Sequence, residues 1–216
     1  MLSQLASWVE TVIEKIGYLG VGLLVALESI IPVIPSEIVQ PYAGFVAQKD
    51  GFGAIVLMII VATIGSVVGS LAMYAIAASI GPVRLRAFVN RYGNWVGITE
   101  HELTRAEHWF DRRAVVSVLV GRCVPFIRSV VSIPAGFRRM NLLKYTVYTA
   151  IGSLVWNIAL VGGGAILGDN WERVGEVFAP IQKLVELAVV AAVVVFAWSR
   201  VRKLYRKRTG KNLPRK

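Results

Sequence analysis

Charge and cysteine are what this sequence has little of. Only 17% of its 216 residues are charged, against about 25% in a soluble domain. A single cysteine, Cys123, is present. One thiol excludes an intrachain disulfide and a thiolate metal site, and leaves the redox compartment open. The shortage of charge accompanies 56% hydrophobic residues and a mean hydropathy of +0.61. Together they exclude a disordered tail, a collagenous fibre and an ordinary soluble enzyme. The chain reads as an all-α integral membrane protein.

Acid is scarcer than base: 13 Asp and Glu against 24 Lys and Arg, a net charge of +11. Nine of the basic residues fall between Ser199 and Lys216, where there is no acid, and the remaining 198 residues carry 15 basic and 13 acidic groups. A basic block directly after an apolar helix is a positive-inside anchor that can also hold anionic lipid headgroups. No nucleic-acid reading motif accompanies it, so nucleic acid is not an expected partner. A cleavable signal is not expected either, because the first sixteen residues contain Glu10 and Glu14 but one cation.

Residues 1–16 place Leu2, Leu5, Val9, Val12, Ile13 and Ile16 on one stripe of an amphipathic helix. Its acidic polar face leaves open whether the apolar side meets lipid or protein. The transmembrane domain is expected over 17–198. Its first apolar run stops at Glu28, and Ser29–Pro41 holds Pro32, Pro35, Pro41 and a second acid, Glu37. A straight crossing needs about 20 apolar residues, so a Pro-broken re-entrant segment over about 28–45 is expected, closing at Tyr42-Ala43-Gly44-Phe45. Ala54–Ile80 is a clean span with a small-residue face (Gly65, Ser66, Gly69, Ser70, Ala72). Residues 82–113 form a polar cytoplasmic loop, in which Thr99 and Glu102 make a capping box. A second broken segment is expected over about 118–137, interrupted by Arg122, Pro125, Arg128 and Pro134. Tyr145–Leu167 and Leu184–Trp198 complete four crossings, and the basic tail 199–216 ends the chain with both termini cytoplasmic.

The two broken segments resemble each other: one ends Pro41-Tyr-Ala-Gly44-Phe, the other Pro134-Ala-Gly136-Phe. On the charge-based topology they enter from opposite sides, as an inverted repeat requires, and such a repeat holds its site near the midplane. Pro32, Pro35, Pro125, Pro134, Gly44 and Gly136 are the residues expected to break or close the hairpins.

Four ionisable residues fall inside these segments: Glu28 and Glu37 in the first, Arg122 and Arg128 in the second. Each costs roughly 2.5–3.5 kcal/mol at a helix centre on insertion scales, so they pair or face water. Two readings stay open on the residues alone. One is a structural ion-pair network. In the other, Arg122 and Arg128 form a fork for an anionic phosphate, bound bidentately, and Glu28 and Glu37 are proton-titratable.

Gly121-Arg122-Cys-Val-Pro125-Phe-Ile-Arg128, continued by Pro134-Ala-Gly136-Phe and Met140, resembles the signature of the DedA family, also called the SNARE-associated or VTT-domain superfamily. Glu28-Ser-Ile-Ile-Pro32-Val-Ile-Pro35-Ser-Glu37, followed by Ala43-Gly44-Phe45, is similar to that family's first hairpin. With the Phe110-Asp-Arg-Arg lead-in the similarity covers about residues 15–170. The resemblance implies two oppositely oriented re-entrant hairpins and a bacterial cytoplasmic-membrane protein. It further implies a flippase that returns polyprenyl phosphate (undecaprenyl or decaprenyl) across that membrane, linked to proton motive force. It implies that Glu28 and Glu37 are the acidic pair, and Arg122 and Arg128 the arginine pair, that the family needs. Cys123 departs from the usual aromatic, which bears on packing beside the site.

No cofactor, no metal and no enzymatic nucleophile are expected. His101 and His108 are seven apart and lack zinc-helix spacing; both read as surface residues of a cytoplasmic helix. Gly162-Gly-Gly164 lacks the Lys-Ser/Thr of a phosphate loop and reads as close helix packing. The six tryptophans fall mostly near span ends. The alternatives to lipid transport are a proton-coupled carrier of a small anion and a non-transporting scaffold. The small-residue faces would permit a homo-oligomer.

Overall fold

A computed structural model describes residues 2–31, 36–96, 100–125 and 127–171, with scattered positions from 173 to 198. Pro32, Pro35, Thr99, Phe126, most of the fourth expected span and the basic tail lie outside the described residues. Among the described residues every regular element is helical: α1 (Leu2–Ile16), α2 (Tyr18–Ile30), α3 (Ser36–Gln48), α4 (Phe52–Val96), α5 (Glu100–Arg122), α6 (Ile127–Val130), α7 (Ser132–Phe137) and α8 (Leu142–Leu167), the last followed by a 3₁₀ turn over Gly168–Asn170.

Two stretches, Phe52–Ala87 and Leu142–Asn170, are long and apolar enough to cross a membrane. Their outward faces are apolar too: Ile64 is 57% exposed and Val155 54%. Such a surface suits lipid rather than water. α2 and α3 have 13 residues each, about 20 Å of helix, short of the roughly 30 Å hydrocarbon core.

The interruptions have local causes. α4 kinks at Gly81 (φ 70°, ψ 170°), a backbone conformation that glycine adopts without penalty, and Pro82 then begins the next helical stretch, where its missing N–H is harmless. Residues 82–96, expected as loop, are therefore helical. α5 kinks at Arg113 (φ −130°, ψ 18°), where polar sequence gives way to apolar sequence.

Helix pairing follows an internal symmetry. In the first broken segment α2 packs on α4 and α3 on α8; in the second, α5 packs on α8 and α7 on α4. The repeated glycine is the contact point in each. Gly44 lies inside α3, where a Cβ would strike the Val161 carbonyl of α8, and Gly136 lies inside α7, where it would strike the Tyr74 carbonyl of α4. Neither glycine breaks its helix, contrary to the sequence expectation; each allows two backbones to approach. Pro134 likewise sits within α7, and α3 continues through Pro41 to Gln48 rather than closing at Phe45. Pro125 does fall in the break between α5 and α6.

Gly164 completes the α3–α8 contact, its missing Cβ leaving room for the Pro41 carbonyl, whereas nothing lies within 4 Å of a Cβ at Gly162. Gly164→Val is expected to cost about 1–3 kcal/mol through overpacking, and Gly162→Val far less. Thermal unfolding of the detergent-solubilised variants checks this, and equal melting points would contradict the packing described.

The N-terminal helix meets protein. Val9 and Ile13 are 0% and 2% exposed and join a core with Val21, Leu24, Val25, Val39 and Ala43, while Tyr42 Oη donates to Glu14 Oε1 at 3.0 Å.

Candidate functional site

The ends of the broken helices converge on α4 and α8. Glu28, in the last turn of α2, forms an ion pair with Arg128 of α6. Their side chains are 6% and 11% exposed, so the bond ties the first broken segment to the second in a low-dielectric interior. The Arg128 guanidinium also lies 5.7 Å from the ring centroid of Trp156, within cation–π range. Trp156 is therefore an interior residue of α8 and not part of an interfacial belt.

Arg122 ends α5 and is only 3% exposed. Gly152 brings α8 against it: a Cβ there would lie 2.8 Å from the Leu119 carbonyl and 2.6 Å from Arg122 Cβ. Its guanidinium donates to three neutral oxygens: the Arg128 carbonyl (2.6 Å), Ser132 Oγ (2.8 Å) and Tyr145 Oη (2.9 Å). Nε has no hydrogen-bond partner. Among the described residues no carboxylate lies within ion-pairing distance of Arg122. A buried cation without a counter-charge is expensive, and an oxyanion beside Nε would supply what is missing.

The two arginines thus differ. Arg128 is neutralised, Arg122 is not, and the contact between them runs from Arg122 Nη1 to the Arg128 carbonyl. Glu37 sits in the first turn of α3, partly exposed, and makes no ion pair among the described residues. Cys123 occupies the break after α5, half-buried, and its thiol faces the Leu119 and Gly152 carbonyls at 3.6 and 3.7 Å.

Several residues around this centre carry no mark in the sequence reading. Tyr145 receives the Arg122 bond, donates to the Ser70 carbonyl at 3.1 Å and stacks on Tyr74 at 4.8 Å. It begins a buried polar stripe along α8 (Tyr145, Thr149, Ser153, Asn157) facing Ser66 and Ser70 of α4, and Asn157 Nδ2 donates to Thr63 Oγ1 at 3.0 Å. The four-residue spacing inside an apolar span was the available signal. Buried polar atoms normally have partners, yet Glu28 Oε2, Gln40 Oε1 and Nε2, Ser66 Oγ, Thr149 Oγ1 and Asn157 Oδ1 have none here. The interior is polar beyond what its own hydrogen bonds satisfy. Among the described residues no group of three or more His, Cys, Asp or Glu could hold a metal ion.

Outside this interior a second charged cluster fixes the polar ends of the helices. Glu107, 7% exposed, accepts from Arg86 at 2.5 Å and lies 3.5 Å from Arg138. Arg138 also makes a two-pronged contact with Asp111, at 3.0 and 2.5 Å. The Asp111 hydrogen bonds hold the Arg138 pKa above its ordinary value.

The VTT-domain profile matches residues 34–166. The chain is 37% identical over 194 residues to the alkaline phosphatase-like protein of Lactococcus lactis subsp. lactis, covering 88% of this chain and 90% of that one. It is 34% identical over 185 residues to undecaprenyl phosphate transporter A of Staphylococcus aureus, covering 86% and 91%. Similarity extends to protein DedA of Escherichia coli, 21% identical over 196 residues and covering 90% and 81%. No solved structure matches.

Proposed function

This chain belongs to the VTT-domain (DedA) family of membrane proteins, and from that membership we propose that it carries a phosphorylated polyprenyl lipid across the bacterial cytoplasmic membrane. The observation that carries the reading is Arg122: a guanidinium buried among neutral oxygens, with Nε unpartnered, fits a phosphate oxyanion better than any ligand without charge. The relative named for undecaprenyl phosphate supports a polyprenyl cargo.

In this reading the broken segments are re-entrant hairpins of opposite entry sides, and the headgroup passes between them while the chain stays in lipid. Glu28 and the phosphate compete for Arg128. When Glu28 is ionised it holds Arg128; when it takes up a proton, Arg128 is released to join Arg122 as the second arm of the phosphate fork. Proton uptake is thereby linked to phosphate binding, and proton loss to release. Glu37, on the opposite arm of the first hairpin, is the second titratable site.

Proteoliposomes loaded with polyprenyl phosphate in one leaflet provide the test. Transfer faster than in protein-free vesicles is expected, accelerated by a pH gradient. Transfer no faster than in empty vesicles overturns the proposal. Uptake of small anions without lipid transfer would favour the soluble-anion carrier. Release of inorganic phosphate from the lipid would instead mark an enzyme, as the name of the Lactococcus relative suggests for that protein.

A further inference from the structure

The kink of α5 at Arg113 joins two cavities of opposite character. Toward the N-terminus lies one of about 500 Å³ lined by His101, Arg105, His108, Trp109 and Arg112. Toward the C-terminus lies one of about 550 Å³, lined by Val116, Val120, Gly121, Ile127, Val130 and Pro134 among others. Trp109 and Arg113 line both.

Among the described side chains of this helix, charge is segregated. The acids Glu107 and Asp111 are taken up by Arg86 and Arg138. Arg105, Arg112 and Arg113 point the other way, exposed, and among the described residues no carboxylate pairs with Arg112 or Arg113. The apolar cavity starts at this cationic rim. From Arg113 to Gly121 it follows the helix for about 12 Å, to the neighbour of Arg122. Its walls include Val116, Val120 and Val130, 58%, 53% and 41% exposed, so it opens at an apolar outer surface of the kind that suits lipid.

We propose that this two-part surface docks a single lipid phosphate, its headgroup on the cations of the kink and its hydrocarbon chain in the apolar groove. Charge complementarity selects the occupant. The three arginines of the first cavity, of which Arg113 also lines the second, call for an anion, and an apolar groove continuous with Arg113 calls for a chain attached to the same molecule, which neither free phosphate nor a zwitterionic lipid provides. Docking here holds the lipid with its chain already beside α5 and Gly121. The role as an antechamber to Arg122 rests on the transport reading above, but the docking itself does not.

Trp109 lines both cavities and reports on the site. The full-length protein is reconstituted in phosphatidylcholine vesicles in which a minor component is chain-brominated phosphatidic acid or, for comparison, chain-brominated phosphatidylcholine. The fluorescence attributable to Trp109 is taken as the difference from Trp109→Phe. It is expected to be quenched more by the brominated phosphatidic acid, and inorganic phosphate should leave that excess intact. In Arg112→Gln/Arg113→Gln the preference for phosphatidic acid should fall about 5- to 30-fold, from roughly 1 kcal/mol per cation near an anionic lipid. Equal quenching by the two lipids, an excess abolished by inorganic phosphate, or an excess unchanged in the double variant would each overturn the proposal. Arg122→Gln separates the two readings: the excess quenching persists in it whether or not transfer is lost.

Discussion

Arg122→Ala is expected to lower lipid-phosphate transfer by about 10- to 150-fold, the equivalent of the roughly 1.5–3 kcal/mol of a charge-assisted hydrogen bond. Arg122 donates to Ser132, Tyr145 and the Arg128 carbonyl, so some of the loss could come from those neighbours shifting. Arg122→Lys separates the contributions. A lysine keeps the positive charge but presents no planar fork, and it should restore folding more fully than transfer. Transfer in Arg122→Ala at the wild-type rate, with the protein folded, would remove the guanidinium from the account.

The second large effect concerns the pair that joins the broken segments. Glu28→Gln leaves Arg128 buried and charged without its partner, and breaking a buried pair on one side costs about 3–5 kcal/mol. Arg128→Gln strands Glu28 in the same way. The double variant Glu28→Gln/Arg128→Gln removes both charges and should recover most of the lost stability, so thermal unfolding of the four proteins is expected to be strongly non-additive. Transfer is not expected to recover in the double variant, because both the proton site and the second arm of the fork are gone. Additive losses of stability would mean that the pair contributes little, and recovered transfer would mean that proton exchange at Glu28 is not part of the cycle.

Glu28, Arg122 and Arg128 stand out in the sequence because each interrupts an apolar run at a high insertion cost. Their pairing does not. Two acids and two arginines suggest a balanced set, whereas the folded chain neutralises Arg128 with Glu28, keeps Glu37 apart and leaves Arg122 among neutral oxygens. That choice depends on how α5, α6 and α8 meet, which no local spacing encodes. Tyr145 and Ser132 escape for a related reason: hydroxyls are inexpensive enough in an apolar segment to look incidental, and their partners are 23 and 10 residues away along the chain.

The repeated Ala-Gly-Phe run, preceded by Pro41-Tyr42 in one copy and Pro134 in the other, is legible as a repeat and misleading as a break. Glycine serves a kink and a close helix contact equally well, and only the Val161 and Tyr74 carbonyls opposite Gly44 and Gly136 decide for contact. The kink at Gly81 coincides with the boundary where apolar sequence ends, so the limit of the first clean span was readable even though the following residues are helical. For α1, the apolar stripe is evident but its partner is not; Tyr42 and the core residues of α2 and α3 supply it.

The central claim is that a lipid phosphate sits against Arg122, and the side-chain 15Nε resonance of Arg122, assigned by its loss in Arg122→Lys, measures it most directly. In lipid nanodiscs this resonance is expected to move on titration with polyprenyl phosphate and to stay in place with the uncharged polyprenol. A resonance unmoved by polyprenyl phosphate under conditions where transfer proceeds would contradict the account.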